Sequence, residues 1–480
     1  MSIPHTFPFS LRSPQVLALL LLFSIAGCSV GPTYRPPASP APDAFGTAMG
    51  SAAAPIETHW WRGFNDPLLE RLLGQASTNN PNLRLATARL REARELWTLA
   101  RFDFAPTARG NASYRNTQAS GGSIAFNPNL DRDLRHNELY RAGFDATWEL
   151  DLWGRVRRSV EAARATVESV EASRLDVLVA LRAEVAINYL ELRGLQAQLV
   201  VARGNATNQS ETVRLAEALR DGGQGTQFDV ARARSLLSTT LATIPPLESA
   251  LAQSTHRIAV LCGLPPTTLR SELSIHAPLP TRPDVLNVGN PGELLQRRPD
   301  VRAAERSLAA ATARIGIETA DLFPSVTFNG SIGLEANRLS RFDQTGTDAW
   351  GFGPQLSWAA FDLGRVRQRI RAADARAQGA LAIYEQTVLL ALEETENSLV
   401  ALSQEQRRLH HLQAAEQAAL ESVVLARQRY RDGISDFIGV LDAERTLLNL
   451  QEQRVNSETL AASRLVAVYK ALGGATEPQP

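Results

Sequence analysis

Four stretches of the chain alternate apolar and polar residues with a period of two, which predicts β-strands. The clearest one covers about 138–150, and the others cover about 107–117, 325–335 and 350–361. One face of the clearest strand is apolar and largely aromatic, whereas the other carries arginine, aspartate, threonine and glutamate. Each predicted strand would therefore separate an apolar environment from a polar one.

After the second and the fourth strand the apolar period changes to about 3.5 residues, which is typical of long helices. The pattern predicts two antiparallel helical hairpins, at about 155–261 and about 365–472. Each long helix would contain about 66 residues and measure roughly 100 Å at 1.5 Å per residue. Helices of this length do not fit into a compact globular domain.

The change from strand to long helix occurs twice, because the chain contains an internal repeat. Residues 141–172 and 351–382 align with one fixed offset of 210 residues, which places Gly154-Arg155 on Gly364-Arg365. A repeat of this kind predicts two copies of one structural unit. We therefore divide the chain after residue 58 into a first repeat (59–264), a linker (265–292), a second repeat (293–474) and a flexible tail (475–480).

The N-terminus resembles a bacterial lipoprotein signal. An apolar run too short for a comfortable membrane span is followed by Ile25-Ala26-Gly27-Cys28, which predicts a signal peptide over 1–27 and an acylated Cys28. The alternative is ordinary cleavage with Cys28 incidental. Residues 28–58 are rich in Pro and Ala and predict an extended lipidated tether. Only Cys262 would then remain as a free thiol, at an apparent helix end where a small buried residue fits.

The two-faced strands predict a membrane barrel. A tilted strand of about 10 residues spans a bilayer, and lipid tolerates strands only in closed barrels. Four strands cannot close; two chains would give a filled eight-stranded barrel, and three chains would give twelve strands with room for a lumen. The polar, glycine-rich face favours a lumen and hence a trimer. The alternative is a half-buried sheet of a soluble protein, which alternates in the same way.

Composition and motifs argue against other functions. The formal net charge is zero and the sequence pI is about 7.1, so no basic surface predicts nucleic-acid binding. The adjacent His410-His411 lack metal-ligand spacing, and no catalytic constellation stands out. We therefore predict neither an enzyme nor a cofactor, apart from the covalent lipid on Cys28.

Three blocks resemble a known family: Cys28 to Tyr34, Trp60-Trp61 with the following Phe64, and Leu294-Leu295-Gln296-Arg297-Arg298-Pro299-Asp300-Val301. They are similar to TolC-like outer membrane factors, in particular to the NodT-type lipoprotein branch that serves RND efflux pumps. The resemblance implies an α+β membrane protein, a homotrimer with four strands per chain in a 12-stranded transmembrane β-barrel that continues into a long periplasmic α-helical barrel. It implies three kinds of partner: outer membrane lipid, a periplasmic adaptor and an inner-membrane RND transporter.

The same resemblance implies that the turns of the two long hairpins form a periplasmic tip. Asp442 matches a position where relatives place a carboxylate ring, Tyr430 is assigned to the same gate, and Arg232 is the counterpart of Asp442 in the first repeat. The alternative for Asp442 is an ordinary solvated helix residue. Small residues at the turns would meet the adaptor, namely Gly222, Gly223, Gly225, Gly433 and Ser435.

The predicted function is a passive exit duct for small molecules such as drugs, opened when adaptor and pump dock. Two alternatives remain open: an exit duct for type I protein secretion, and a lipoprotein scaffold without a channel. The strand–helix junctions at Gly154, Arg155, Gly364 and Arg365 are predicted to lie at the membrane–periplasm boundary. Replacing Gly364 with valine is accordingly predicted to impair trimer assembly.

Overall fold

A computed structural model describes residues 29–38, 42, 44–46, 59–118, 136–281 and 290–474. Within these residues the chain consists of helices and one four-stranded sheet. In chain order the elements are α1 (Pro67–Asn79), α2 (Pro81–Phe102), β1 (Thr107–Gln118), β2 (His136–Leu150), α3 (Arg155–Asp221), α4 (Gln227–Leu261), α5 (Arg270–Leu273), α6 (Pro291–Arg297), α7 (Pro299–Ala320), β3 (Ser325–Ala336), β4 (Asp348–Ser357), α8 (Leu363–Arg431) and α9 (Phe437–Ala471). The predicted signal peptide, Cys28 and the tail at 475–480 lie outside the described residues.

The sheet is an antiparallel meander in the order β1-β2-β3-β4. The first three strands lie within two residues of their predicted bounds. The prediction for β4 was wrong at its end, because the strand runs over Asp348–Ser357 and not to residue 361. Its last paired residue is Ser357, opposite Ser325, where β3 itself begins. The apolar alternation continues past Ser357, but no strand residue lies opposite to pair with it.

The two long hairpins are formed by α3 with α4 and by α8 with α9. Their bounds agree with the predicted hairpins to within two residues at the outer ends. The predicted linker at 265–292 is not wholly irregular: it contains α5, and α6 begins inside it at Pro291. Pro291 is the first residue of α6, and the Asn290 side chain accepts a hydrogen bond from the Glu293 backbone N–H at 2.8 Å.

The described residues fall into two compact units, and both repeats contribute to each unit. The first unit contains Arg91–Ser169 and Ala304–Ile383, and therefore the whole sheet with the helix ends beside it. The second unit contains the described residues of three ranges, which are Ala38–Leu90, Val170–Ala303 and the stretch from Tyr384 to the last described residue, Gly474. The repeats are therefore not separate domains.

The largest hydrophobic core lies in the second unit and contains the aromatic motif near residue 60. Trp60 stacks on Tyr469 of α9 with ring centroids 5.2 Å apart. Asp66 caps α1 and also accepts a hydrogen bond from the Tyr189 hydroxyl at 2.6 Å. Cys262 is fully buried at the end of α4, and burial raises the pKa of its thiol to about 11. The prediction of a small buried residue at this helix end is confirmed.

The most specific sequence block contains a buried arginine that joins three helices of the second unit. Arg298 precedes α7 and donates from Nε to Asp300 at 3.0 Å and from Nη2 to Glu394 of α8 at 2.7 Å. Its Nη1 donates to the Ala471 carbonyl at 2.8 Å, where α9 ends and backbone acceptors lack helical partners. Lys470 adds a second cation to Glu394 at 2.9 Å. One guanidinium therefore satisfies two carboxylates and a helix C-terminus.

Candidate functional site

The sheet has one strongly apolar face that nothing in the described chain covers. Five large side chains on it are at least 65 % exposed: Phe144, Ile332, Trp350, Phe352 and Leu356. Exposed apolar surface of this extent marks contact with another protein or a membrane. The alternation predicted from the sequence is therefore present in three dimensions.

The opposite face of the sheet is polar and carries charges of both signs. Arg109 lies opposite Asp145 in the β1–β2 register, and Asp145 accepts a hydrogen bond from Asn111. Arg155, the first residue of α3, donates from Nε to Glu149 at 2.7 Å. A concavity of about 640 Å³ lies among these side chains, with Asp103, Thr107, Thr147 and Thr327 also on its wall. The wall can therefore contact polar or charged solutes of either sign.

Two tryptophans attach the sheet to the turns that precede β1 and β3. The indole N–H of Trp148 donates to the Phe104 carbonyl at 3.0 Å, and that of Trp358 donates to the Leu322 carbonyl at 3.1 Å. The two residues are related by the repeat offset of 210. The aromatic residues are evident in the sequence, but these bonds are not, because the acceptors lie 44 and 36 residues away.

Replacing Trp148 or Trp358 with phenylalanine is expected to cost about 1 kcal/mol of stability each, since each variant loses one hydrogen bond. Thermal unfolding of the purified protein in detergent measures the effect. The matched control is Trp350→Phe on the same exposed face, because the Trp350 indole makes no hydrogen bond within the described residues. An equal loss in the control would assign the effect to ring size instead.

The two predicted strand–helix junctions differ in structure. Gly154 caps α3, accepting from the Arg158 backbone N–H at 2.8 Å, and has a left-handed φ of 82°. A Cβ on Gly154 would lie 2.8 Å from the Cα of Ser29. Gly364 lies inside the first turn of α8, and a Cβ placed on it meets no atom within 4 Å in the described chain beyond its sequence neighbours and the backbone of its own helix. Arg365 pairs with Asp362 at 3.1 Å, whereas its counterpart Arg155 pairs with Glu149.

Residues 29–38, the first described part of the predicted tether, are held against the rest of the first unit. We call residues 29–38 the strap; it contains no helix or strand but is held by specific contacts within the first unit. The Val30 N–H donates to the Trp153 carbonyl at 3.1 Å, and the buried Arg158 donates from Nε to the Val30 carbonyl at 3.1 Å. Gly31 crosses α7 at Gly316, and a Cβ placed on Gly31 would lie 2.5 Å from the Cα of Gly316.

A second contact of the strap explains why Tyr34 belongs to the recognisable block. The Tyr34 hydroxyl donates a hydrogen bond to Glu305 of α7, and the Arg306 guanidinium lies 5.4 Å from the centre of the Tyr34 ring. The strap thus connects α3 of the first repeat to α7 of the second. Lipidation of Cys28 remains a prediction, because Cys28 lies outside the described residues.

The two hairpin turns, which we call the tip together with the adjacent helix ends, have the same backbone design. Gly223 and Gly433 both adopt left-handed φ values, 73° and 71°. In each turn the next N–H donates back to the carbonyl five residues earlier, which is the Schellman arrangement. Gly222 and Gly225 flank Gly223, and Ser435 stands at the position equivalent to Gly225. All five predicted docking residues therefore lie in these turns.

The four helix ends of the tip pack around one small apolar cluster. Its buried residues are Val213, Ala216, Val230, Ala233, Phe437 and Val440. Tyr430 is half-buried beside this cluster, with its ring centroid 5.2 Å from that of Phe437. Burial, and then the nearby Asp229 carboxylate, raise the pKa of Tyr430 above its ordinary value. The phenol is therefore a neutral hydrogen-bond donor near pH 7.

The structure does not bring the two other predicted gate residues together. Arg232 is exposed with its guanidinium 4.9 Å from the Phe228 ring centre, and no ion pair joins it to Asp442 in the described chain. Asp442 accepts a hydrogen bond from Arg445 at 2.8 Å, and its side chain is 64 % exposed. Arg445 is not among the site residues predicted from the sequence, although a basic residue three positions along a helix from an acidic one is a recognisable signal.

Neither a membrane-spanning helix nor a metal-binding cluster is found in the part of the chain that the structure describes. No helix there carries an apolar stretch long enough to cross a membrane. Nor does any group of three or more histidine, cysteine, aspartate or glutamate residues have a metal-binding arrangement among the described residues.

Comparison with known proteins gives a consistent match. The family model for outer membrane efflux proteins matches residues 72–264 and 290–474. Nodulation protein T of Rhizobium leguminosarum bv. trifolii is 30% identical over 455 residues, covering 95% of this chain and 96% of its own. The toluene efflux pump outer membrane protein TtgI of Pseudomonas putida is 30% identical over 479 residues, covering 96% and 98%. The solved outer-membrane channel OprN superposes with a TM-score of 0.87 at 42% identity, covering 93% of this chain and 99% of the other. The chain therefore belongs to the outer membrane efflux protein family.

Proposed function

We propose that three copies of this chain form a closed 12-stranded barrel in the outer membrane and serve as the exit duct of a tripartite RND-type efflux system. The observation that carries the proposal is the four-stranded sheet with one exposed aromatic face and one charged face. Within the described chain β1 and β4 each pair on one side only. Pairing β4 with β1 of the next copy would satisfy both edges and direct the aromatic face to lipid.

The cargo proposed for this duct is a range of small molecules, drugs included. One relative named above is the outer membrane protein of a toluene efflux pump and another is named as a nodulation protein, so one fold accompanies different biological roles. The polar face of the sheet, with arginines and carboxylates side by side, offers weak contacts without a single binding chemistry. Selection of cargo is therefore assigned to the inner-membrane transporter, and the duct is passive.

Deletion and complementation test this proposal. We expect deletion of the gene to increase susceptibility to several drugs and dyes, and the intact gene to restore resistance. Unchanged susceptibility together with a missing secreted protein would favour type I secretion. A purified trimer that gives no conductance in planar bilayers would contradict the duct itself and favour a scaffold.

For the tip, we propose that the exposed apolar residues around the two turns receive the adaptor. Ile434 in the second turn is 66% exposed, and Phe228 and Ile438, at equivalent positions of the two repeats, are 61% and 47% exposed. The left-handed glycines bring the backbone of each turn to the surface beside them. An adaptor with an apolar end would bury these side chains on docking.

Ile434→Asp is expected to lower adaptor co-purification after in vivo crosslinking by about tenfold, which corresponds to about 1.4 kcal/mol. The reason is that docking would desolvate a carboxylate in place of an apolar side chain. Ile275→Asp is the matched control, because Ile275 is equally exposed at 66% but lies in the segment after α5. Equal adaptor recovery from both variants would place the docking surface elsewhere.

We also propose that Asp442, Tyr430 and Arg232 contribute to the periplasmic gate. Asp442 would form a ring of three carboxylates, but each carries its own Arg445 at 2.8 Å. The neighbouring cation reduces the negative potential that such a ring presents to cations. Weak cation selectivity therefore accompanies the gate in this proposal. The residue three positions before Asp442 is Gly439, which adds no second carboxylate to the ring.

A further inference from the structure

The strand–helix junction of the first repeat is closed by an aspartate. Asp151 lies between β2 and α3, and its carboxylate accepts hydrogen bonds from the backbone N–H groups of Val156 and Arg157, both at 3.0 Å. The same carboxylate pairs with the Arg157 guanidinium at 3.0 Å, and its side chain is only 13% exposed. The charges of this ion pair are therefore balanced within the chain.

The junction of the second repeat has lost this ion pair. The offset of 210 residues places Phe361 on Asp151 and Arg367 on Arg157. Phe361 is fully exposed. Arg367 and, one turn later, Arg371 are exposed and make no hydrogen bond or ion pair within the described chain. An aromatic ring and two uncompensated cations therefore replace a closed salt bridge.

The two cations lie on the side of α8 that continues the apolar face of the sheet. On the other side of the helix, Arg369 lines a recess together with Glu149 and Arg155, which belong to the polar face. Arg367 is two residues away and therefore about 200° around the helix. The alternation of β4 places the exposed Trp358 on the apolar side as well. Cations and aromatic rings therefore share one side of this junction.

The strap covers the groove beside the first junction, but no described segment covers its counterpart in the second repeat. Ser29 lies against Gly154, and Arg158 donates to the carbonyls of the next two strap residues at 3.1 and 3.3 Å. In α8 the repeat places Gly364 and Gln368 at these two positions. A Cβ on Gly364 meets nothing comparable to Ser29. The groove beside the second junction is therefore open in a single chain.

A second strap would not fit this open groove. In the proposed trimer its far wall is α2 of the partner subunit, because α2 is the first-repeat counterpart of α7. The segments that follow the two helices, residues 103–106 and 321–324, align with an offset of 218. Thr98 of the partner subunit then takes the place of Gly316, where the backbone of Gly31 crosses α7. A side chain at this position excludes a peptide that crosses as closely as the strap does.

We infer that the groove beside the second junction binds a phospholipid of the periplasmic leaflet, with its phosphate on Arg367 and Arg371 and its acyl chains along Phe361 and Trp358. We call it the lipid groove. This inference rests on the trimeric barrel proposed above and adds one lipid site at each subunit boundary.

Each part of the lipid groove matches one part of a phospholipid. Guanidinium groups bind phosphate oxygens through charge-assisted hydrogen bonds. Exposed aromatic rings are favoured where headgroups meet hydrocarbon. The lipid groove is also continuous with the apolar sheet face that the proposed barrel directs to lipid. Because two arginines meet one phosphate, the anionic phosphatidylglycerol should bind more tightly than the zwitterionic phosphatidylethanolamine.

Phosphatidylglycerol binding to the full-length trimer tests the inference. The purified trimer is delipidated in detergent and titrated with phosphatidylglycerol, and the bound lipid is counted by native mass spectrometry. Arg367→Gln removes one cation. Phe361→Asp keeps both cations but restores the carboxylate that the first junction has, so Arg367 is neutralised within the chain. Arg376→Gln is the matched control, because Arg376 is exposed on the same helix, nine residues and hence about 180° from Arg367.

We expect the wild type and Arg376→Gln to bind one phosphatidylglycerol per copy, and Arg367→Gln and Phe361→Asp to bind it about tenfold more weakly. Equal affinity of all four proteins would overturn the inference. Glycerol phosphate, which lacks acyl chains, should not compete; equal competition would show a general anion site instead of a lipid site.

A second measurement separates lipid from a covering subunit. In the assembled trimer a Phe361→Cys thiol should react with a maleimide, and added phosphatidylglycerol should slow the reaction. The native Cys262 is buried with a raised thiol pKa and does not compete. A thiol at position 361 that is protected in the delipidated trimer would assign the groove to the partner subunit and overturn the inference. Failure of the chain to form trimers in the outer membrane would instead reject the proposed function.

Discussion

Arg298→Met is expected to destabilise the protein by about 3–5 kcal/mol, the usual result of removing one partner from a buried charge cluster. The substitution would leave the carboxylates of Asp300 and Glu394 without their shared cation and the Ala471 carbonyl without its donor. Methionine keeps the unbranched apolar stem of the arginine side chain, so the effect is mainly electrostatic. Denaturant unfolding of the purified protein in detergent, followed by helical circular dichroism, measures it.

The adjacent Arg297 provides the control, because it is exposed and lies in the same short motif. Arg297→Met is expected to change stability by less than about 0.5 kcal/mol, as surface substitutions usually do. The double variant Arg298→Met with Glu394→Gln should regain part of the loss by removing one of the uncompensated charges. Equal losses from the two single variants would show that the ion cluster does not stabilise the fold.

The dependence of the free energy of unfolding on pH, measured on acidification, tests the same ion cluster in a second way. Burial opposes ionisation of Glu394, but hydrogen bonds from Lys470 and Arg298 outweigh it and lower the pKa of this carboxyl. A lowered pKa in the folded state stabilises the protein above the ordinary carboxyl pKa, and this stabilisation is lost as the pH falls. Arg298→Met should therefore reduce the loss of stability on acidification that is due to Glu394.

Local periodicity explains why most elements could be predicted from the sequence. The strands alternate because one face is polar and the other apolar, and the hairpins end at glycines such as Gly223 and Gly433 that adopt left-handed φ values. The same signals failed where a distant segment decides the outcome. The apolar alternation continues through Trp358, yet β4 ends at Ser357 because β3 begins opposite it.

Most of the contacts that give the predicted site its geometry join residues far apart in the sequence. Arg298 binds Glu394, Trp148 binds the Phe104 carbonyl and Tyr34 binds Glu305, and no local pattern indicates these partners. Arg445 beside Asp442 is different, since its spacing of three residues along the helix is a local signal for the ion pair. The turn glycines of the tip and the Arg445–Asp442 pair can thus be inferred from local sequence, whereas the long-range contacts cannot.

The structure distinguishes the two junction glycines, Gly154 and Gly364, that the repeat makes equivalent. The repeat places Gly154 and Gly364 at equivalent strand–helix junctions, and valine at Gly364 is predicted to impair trimer assembly. Within the described chain that position is open, so any effect of Gly364→Val would have to come from a neighbouring copy. The steric demand inside one chain lies at Gly154.

Gly154→Ala is therefore expected to reduce the yield of assembled protein in the outer membrane severalfold, whereas Gly364→Ala should leave it unchanged. A residue other than glycine at a φ of 82° costs about 1–2 kcal/mol, and the new Cβ would also overlap Ser29. The overlap would push the strap away from α3, so protease cleavage within the strap should increase in parallel. Outer membrane fractionation and limited proteolysis provide the two measurements.

A second variant separates the two causes of the Gly154 effect. Ser29→Gly combined with Gly154→Ala removes the side chain of Ser29 but keeps the unfavourable φ at Gly154. If crowding by the Ser29 side chain dominates, the double variant should regain part of the assembled protein and of the protease resistance, while the Cα of residue 29 would still lie 2.8 Å from the new Cβ. If backbone conformation dominates, the yield should stay low while the strap docks normally. Normal yield and normal protease resistance in the Gly154→Ala single variant would contradict both causes. That result would show that the contact between the strap and Gly154 does not affect assembly.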